Sequence, residues 1–260
     1  MSVDHPHRYA VWLLAVAVLS VSAGSLDAKD QSGPTEVDLQ LVIASDVSTS
    51  MSIGEKQLQL QGFVAAFRDR DVIRSVMRGQ HGRIAITYIE WGGEGRQRIV
   101  LPWHLVDGPD SARAFADRLD ATRPGRLLYG TSMGDALVFG ASLFEDSGFA
   151  SERRVIDISG DGKSNKGAPL EIARAHVVAR NITINGLPII YEKRELATLD
   201  ISEFSADDLT HYFETQVIGG PDAFVEPVWK PTMYSQAIRQ KLIREISGRE
   251  RWEARFSGLP

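Results

Sequence analysis

The apolar positions of the chain recur with two periods, and these divide it into alternating strands and helices. Val37 to Ala44 (VDLQLVIA) begins as an alternation and becomes wholly apolar, the pattern of a strand buried on both faces. Residues 52–68 place Leu58, Leu60, Phe63, Val64 and Phe67 at helical spacing, and Asp71 to Met77 predicts a short helix stopped by Gly79. Arg83 to Trp91 (RIAITYIEW) alternates as a strand, with Arg98 to Val106 as its hairpin partner across the turn Gly92-Gly93-Glu94-Gly95. A helix is predicted over Asp110 to Thr122 with Asp110 as its N-cap, ended by Pro124-Gly125. Residues 132–145 (SMGDALVFGASLFE) carry little charge and predict a well-buried helix. Then come a buried strand at Arg154 to Ser159, a helix at Ala168 to Arg180 and a strand at Ile182 to Ile190. Ala223 to Val228 reads as an edge strand between Pro221 and Pro227, and Met233 to Ile246 as a closing helix.

Strands that alternate with helices imply an α/β fold: one doubly wound, mostly parallel sheet covered by helices on both faces. A chain of 260 residues with 43% hydrophobic and 24% charged residues has ordinary globular composition and enough length for a sizeable core. The net charge of −5 offers no basic footprint for nucleic acid. Cysteine is absent, which excludes disulfides, thiolate metal sites and a cysteine nucleophile.

The first 28 residues read as a signal peptide. Arg8 precedes an apolar run from Ala10 to Leu19, and the small residues Ser20, Ser22, Ala23, Gly24 and Ser25 follow. The run is shorter than the ~20 residues that span a bilayer. An exported protein, periplasmic or extracellular, is expected, with membrane contact only if this segment stays attached. Residues 29–35 form a linker around Gly33-Pro34, residues 36–247 the domain, and residues 248–260 a polar tail.

The chemistry concentrates where the first buried strand ends, in Asp46-Val47-Ser48-Thr49-Ser50. A D-x-S-x-S run at a strand's carboxyl end can turn one carboxylate and two hydroxyls towards one point. Hard oxygen donors of this kind suit Mg²⁺, Mn²⁺ or Ca²⁺. Thr131, at the entrance to a buried helix, and Asp161, just past the strand RVIDIS, can complete the shell. Loops at the carboxyl ends of parallel strands meet where the strand order reverses.

This ordered set resembles the von Willebrand factor type A family and its metal-ion-dependent adhesion site. The resemblance covers roughly residues 36–247, and the matching positions are Asp46, Ser48, Ser50, Thr131 and Asp161. It implies direct hydroxyl ligands from Ser48, Ser50 and Thr131, with Asp46 and Asp161 acting directly or through water. It also implies an open coordination position for a carboxylate from a protein partner. The chain is further similar to a family of exported bacterial proteins of this type with no assigned function. That likeness runs through AFRDRDVI at 66–73, GRIAITYIEW at 82–91, VIDISGDG at 155–162, ITINGLPI at 182–189 and VIGGPDAF at 217–224. The expectation is a non-enzymatic adhesion or assembly module.

Two other readings compete. Gly130-Thr131-Ser132-Met133-Gly134 matches the G-x-S-x-G elbow of serine hydrolases, with Asp161 and His176, or Asp208 and His211, in the required order. The context disfavours it, because only Arg126 to Tyr129 could supply the strand before Ser132, and His176 reads as a packing residue. The third reading keeps the fold and makes the site vestigial, in a structural protein needing no metal. Asp157 reads as a satisfied buried polar group. Trp91, Trp103, Trp229 and Trp252 read as core or rim residues. Residues 195–226 hold eight acidic residues and no Lys or Arg, a solvated face. Arg239, Lys241, Arg244 and Arg249 are expected to pair with those carboxylates.

Overall fold

The run QLVIASD forms a strand in which every residue is buried, because its side chains alternate between two apolar layers. The structure is a computed structural model that describes Met1 and residues 33–126, 130–190 and 206–248. The predicted leader, most of the tail, Arg249 and Trp252 lie outside these residues. Contacts separate residues 1–33 from the unit Pro34–Pro260, which is the unit described below.

In chain order the elements are β1 (Thr35–Glu36), β2 (Gln40–Asp46), α1 (Ile53–Arg68), α2 (Arg70–Met77), β3 (Ile84–Trp91), β4 (Gln97–Val106) and α3 (Pro109–Asp120). There follow α4 (Met133–Ser142), β5 (Phe149–Ala150), β6 (Arg154–Gly160), α5 (Leu170–Ala179) and β7 (Ile182–Pro188). The last are α6 (Ala206–Tyr212), a π-helical turn at Phe213–Val217, a 3-10 turn at Pro231–Met233 and α7 (Tyr234–Ser247). The main sheet has the order β4-β3-β2-β6-β7, parallel throughout except for β4, which returns antiparallel beside β3. Leu41 and Ile43 of β2 face a core shared with Phe63, Phe67, Phe115, Ile238 and Leu242, from α1, α3 and α7. Val42 and Ala44 face the opposite core, with Met133, Leu137, Ala173 and Val177 from α4 and α5. The sheet is thus mostly parallel and covered on both faces, as expected.

Local differences have local causes. Asp110 is not the cap of α3. That helix starts at Pro109, whose fixed φ suits the first helical position, and the Ser111 hydroxyl accepts the N–H groups of Asp107 and Gly108 at 3.0 and 3.1 Å. Thr35, the last residue of the expected linker, already pairs with Phe149 in a two-stranded parallel ribbon. Residues 223–228 do run beside β7, through isolated bridges at Val225 and Val228. Pro227 has no N–H to continue a ladder, so no strand forms. α6 arises inside the acidic stretch that had read only as a solvated face.

The basic groups of α7 find other partners than expected. Lys241 is fully buried and pairs with Asp157 of β6 at 2.7 Å and with Glu245, one helical turn on, at 2.5 Å. Arg239 pairs with Asp69 and Asp71 beside α2. Arg244 stacks on the Phe224 ring at 3.8 Å. Packing α7 against the sheet sets Arg239 and Lys241 against carboxylates outside residues 195–226, so the sequence expectation is corrected for these two. Asp157 is buried and paired through Oδ1 with Lys241, but its Oδ2 has no hydrogen-bond partner, so it is not the fully satisfied group that was expected.

Candidate metal centre

The site grows from the carboxyl ends of β2 and β6. From β2 the chain passes to β3 on one side of it and later to β6 on the other, so the strand order reverses here, the position where loops of a parallel sheet form binding sites. Asp46 ends β2 and is wholly buried. Its Oδ1 accepts the Ser48 N–H at 2.7 Å, which folds the chain back and points the loop upward. Its Oδ2 is buried with no hydrogen-bond partner. Ser48 and Ser50 place their hydroxyl oxygens 2.9 Å apart, and Ser50 Oγ donates to Asp161 Oδ1 at 2.5 Å. Four of the five predicted residues therefore form one continuous polar chain across the β2 and β6 loops.

Thr131 is tied by its backbone to the loop that follows Asp161. It is buried at the entry to α4; its N–H donates to Asn165 Oδ1 at 3.0 Å, and its carbonyl accepts the Asn165 N–H at 2.9 Å. Ser164 Oγ in turn accepts the Met133 N–H at 3.2 Å. Asn165 and Ser164 belong to the loop that carries Asp161, so the Thr131 and Asp161 loops are fastened together. Gly130 precedes Thr131 at φ +85°, where a Cβ would crowd Lys166 at 2.8 Å. Under the loop, Ser159 Oγ bridges the strands, donating to the Ala44 carbonyl and accepting the Asp46 N–H.

Burial first, and the charge of Asp161 second, push the Asp46 carboxyl from 3.8 up to about 7; the Ser48 donors, and after them the Asp161 N–H, pull the other way. A buried carboxylate oxygen without a donor, beside a second carboxylate and two serine hydroxyls, is a donor set that a hard divalent cation fits. Among the described residues no three His, Asp or Glu side chains gather to hold a metal, so hydroxyls would make up the remainder of any shell here.

Other candidates separate from this centre. Ser132 is fully buried, and its hydroxyl accepts the Asp135 N–H at 3.4 Å as the N-cap of α4. Residues 122–126, 130 and 131 lie outside any strand, whereas a nucleophile elbow needs one. Trp91 is core, its indole N–H donating to the Ala44 carbonyl; Trp103 is partly buried and Trp229 exposed. Three residues near the centre escaped the sequence reading. Lys56 and Gln59 are buried on α1, and Glu90 is buried at the end of β3, held by Arg98 at 2.6 Å and by the Gly125 N–H. A charged residue in a helix reads from sequence as solvated, and only the packing of α1 over β2 turns Lys56 inward.

A family model described as a protein of unknown function (DUF1194) matches residues 36–250. No curated protein matches the chain. Solved structures do, and they share the von Willebrand factor type A fold. The pilus adhesin SpaC from Lactobacillus rhamnosus GG, in an open conformation, aligns with a TM-score of 0.58 at 10% identity, over 82% of this chain and 31% of that one. Proximal thread matrix protein 1 from the mussel byssus, solved with a zinc-occupied MIDAS motif, aligns at 0.55 and 16% identity, over 82% and 49%. The vWF domain of the type V pili tip protein Mfa5 from Porphyromonas gingivalis aligns at 0.52 and 9% identity, over 79% and 94%. The chain thus spans less than half the length of the first two.

Proposed function

Because the chain belongs to the DUF1194 family and has the von Willebrand factor type A fold, we propose that it is an exported binding module that engages a protein partner through a divalent cation. The observation that carries this reading is Asp46 Oδ2, buried without a hydrogen bond at the head of a polar chain of Ser48, Ser50 and Asp161. Leaving such an oxygen unpaired costs about 1–3 kcal/mol or more, which a cation would offset. A solved neighbour holds zinc in a MIDAS motif, two others are a pilus adhesin and a pilus tip domain, and these support the same direction. The apolar leader of residues 10–19 supports export.

Asp46 and Asp161 would hold Mg²⁺, Mn²⁺, Ca²⁺ or Zn²⁺ together with the hydroxyls of Ser48, Ser50 and Thr131. When bound, the ion would supply a coordination position that takes a carboxylate from the partner. Neutral hydroxyls would add no further negative charge around it, which leaves room for an acidic side chain. The role of the chain is to orient these donors: the Ser48 N–H fixes one Asp46 oxygen, and Asn165 fixes the height of Thr131. Cation and partner would each raise affinity for the other.

Thermal unfolding after chelation, with each ion added back, tests this. A hundredfold excess over Kd stabilises by about 2.7 kcal/mol, or roughly 5–10 °C in a domain of this size. That shift is expected in the parent and absent in Asp46→Ala, with circular dichroism unchanged. Equal shifts in both would remove Asp46 from the site.

A further inference from the structure

α1 carries a second charged group to the same centre. Ser52 and Glu55 cap each other reciprocally, so the first turn of α1 is fixed directly after the 46–50 loop. Gln59 lies on the inner face of the helix and donates from Nε2 to the Asp46 carbonyl at 3.4 Å. Lys56, three residues earlier, shares that face one turn nearer the carboxyl end of β2. It is only 6% exposed, although a lysine ordinarily keeps its ammonium in water. Burial lowers the ammonium from its usual value, and the charges of Asp46, Asp161 and Glu90 oppose that, in this order. Glu90 has Arg98 against it at 2.6 Å, and Asp46 and Asp161 act on Lys56 more strongly than Glu90 does.

We propose that Lys56 is the resident counter-cation of the site, setting the charge it offers first to a metal ion and then to a partner's carboxylate. The inference rests on the metal-site reading above and adds its regulation. Asp46, Asp161 and a divalent ion sum to zero, and the Lys56 ammonium adds one positive charge to that set. Lys56 therefore repels the incoming ion and attracts the acidic group that follows it. The chain accepts weaker metal binding in return for a loaded site that selects anions.

Calorimetric titration of the chain with Mn²⁺ alone tests this, for the parent, Lys56→Met and Lys56→Arg. Met nearly matches the apolar length of lysine, and Lys56→Gln is the parallel variant if Met does not fold. Lys56→Met is expected to bind Mn²⁺ about tenfold more tightly, and Lys56→Arg to stay within about twofold of the parent. A neutral variant that binds equally or more weakly would overturn the role of Lys56 and leave the metal site standing. So would tightening in Lys56→Arg, which would show that size rather than charge matters. If the parent bound no Mn²⁺ and Lys56→Met did, the metal reading of the native chain would fall, and Lys56 would stand as the cation that fills the site. If neither bound, both inferences would fall.

Discussion

At the scale of single residues, buried charge gathers around the Asp46 loop, at Glu90 and at the sheet–α7 contact. At the last of these, Asp157 and Glu245 share one ammonium, Lys241, with the Asn185 amide donating to Glu245 at 2.9 Å. Two carboxylates on one cation, out of water, cannot both ionise cheaply. Burial and then the Glu245 charge raise the Asp157 carboxyl from 3.8 to about 7, against the pull of Lys241. The folded chain therefore keeps a proton there that the unfolded chain releases. This contribution is complete below about pH 4 and is lost as pH rises through about 7. Metal-free protein is expected to lose stability across that interval, and Asp157→Asn to flatten the slope in urea unfolding at several pH values. Lys241→Met is expected to cost about 3–5 kcal/mol, because it strands both carboxylates.

At the scale of elements, α4 is closely joined to the loop ahead of α5. Asp135 near the start of α4 accepts the Ala168 N–H at 3.0 Å and the Gly95 N–H at 3.2 Å, gathering two loops onto one carboxylate. Gly134 beside it lies so close that a Cβ would run into the Ala168 carbonyl. Gly134→Ala should therefore destabilise by about 1–3 kcal/mol, against the gain that alanine gives an open helix. It should also weaken metal binding, because the displaced loop runs on from Asp161 through Ser164 and Asn165 to Ala168. Denaturant unfolding and Mn²⁺ titration of the one variant check both effects. α1, β3, β6 and α7 were legible from periodicity alone, and α1 began as its Ser52-x-x-Glu55 pattern allows. α6 was not legible, since charged residues masked its short helical pattern.

At the scale of the whole molecule, two apolar layers hold the sheet from both sides, and neither includes residues 46–50. The chelated chain is expected to remain folded, with unchanged far- and near-ultraviolet dichroism and only a lowered midpoint. Loss of near-ultraviolet signal on chelation would show that the ion is part of the core. Among the described residues no helix is long and apolar enough to cross a membrane. The sequence by itself determined the alternation of strands and helices, because buried strands and amphipathic helices leave different periods in the chain. It also marked Asp46, Ser48 and Ser50 as a group, because adjacent residues at a strand end share one loop. Only the tertiary structure decided that Asp161, over a hundred residues later, meets Ser50, that Asn165 ties Thr131 to the loop carrying Asp161, and that Lys56 and Lys241 turn inward. Those facts depend on which strands become neighbours and which helix face packs down, and no local pattern encodes that.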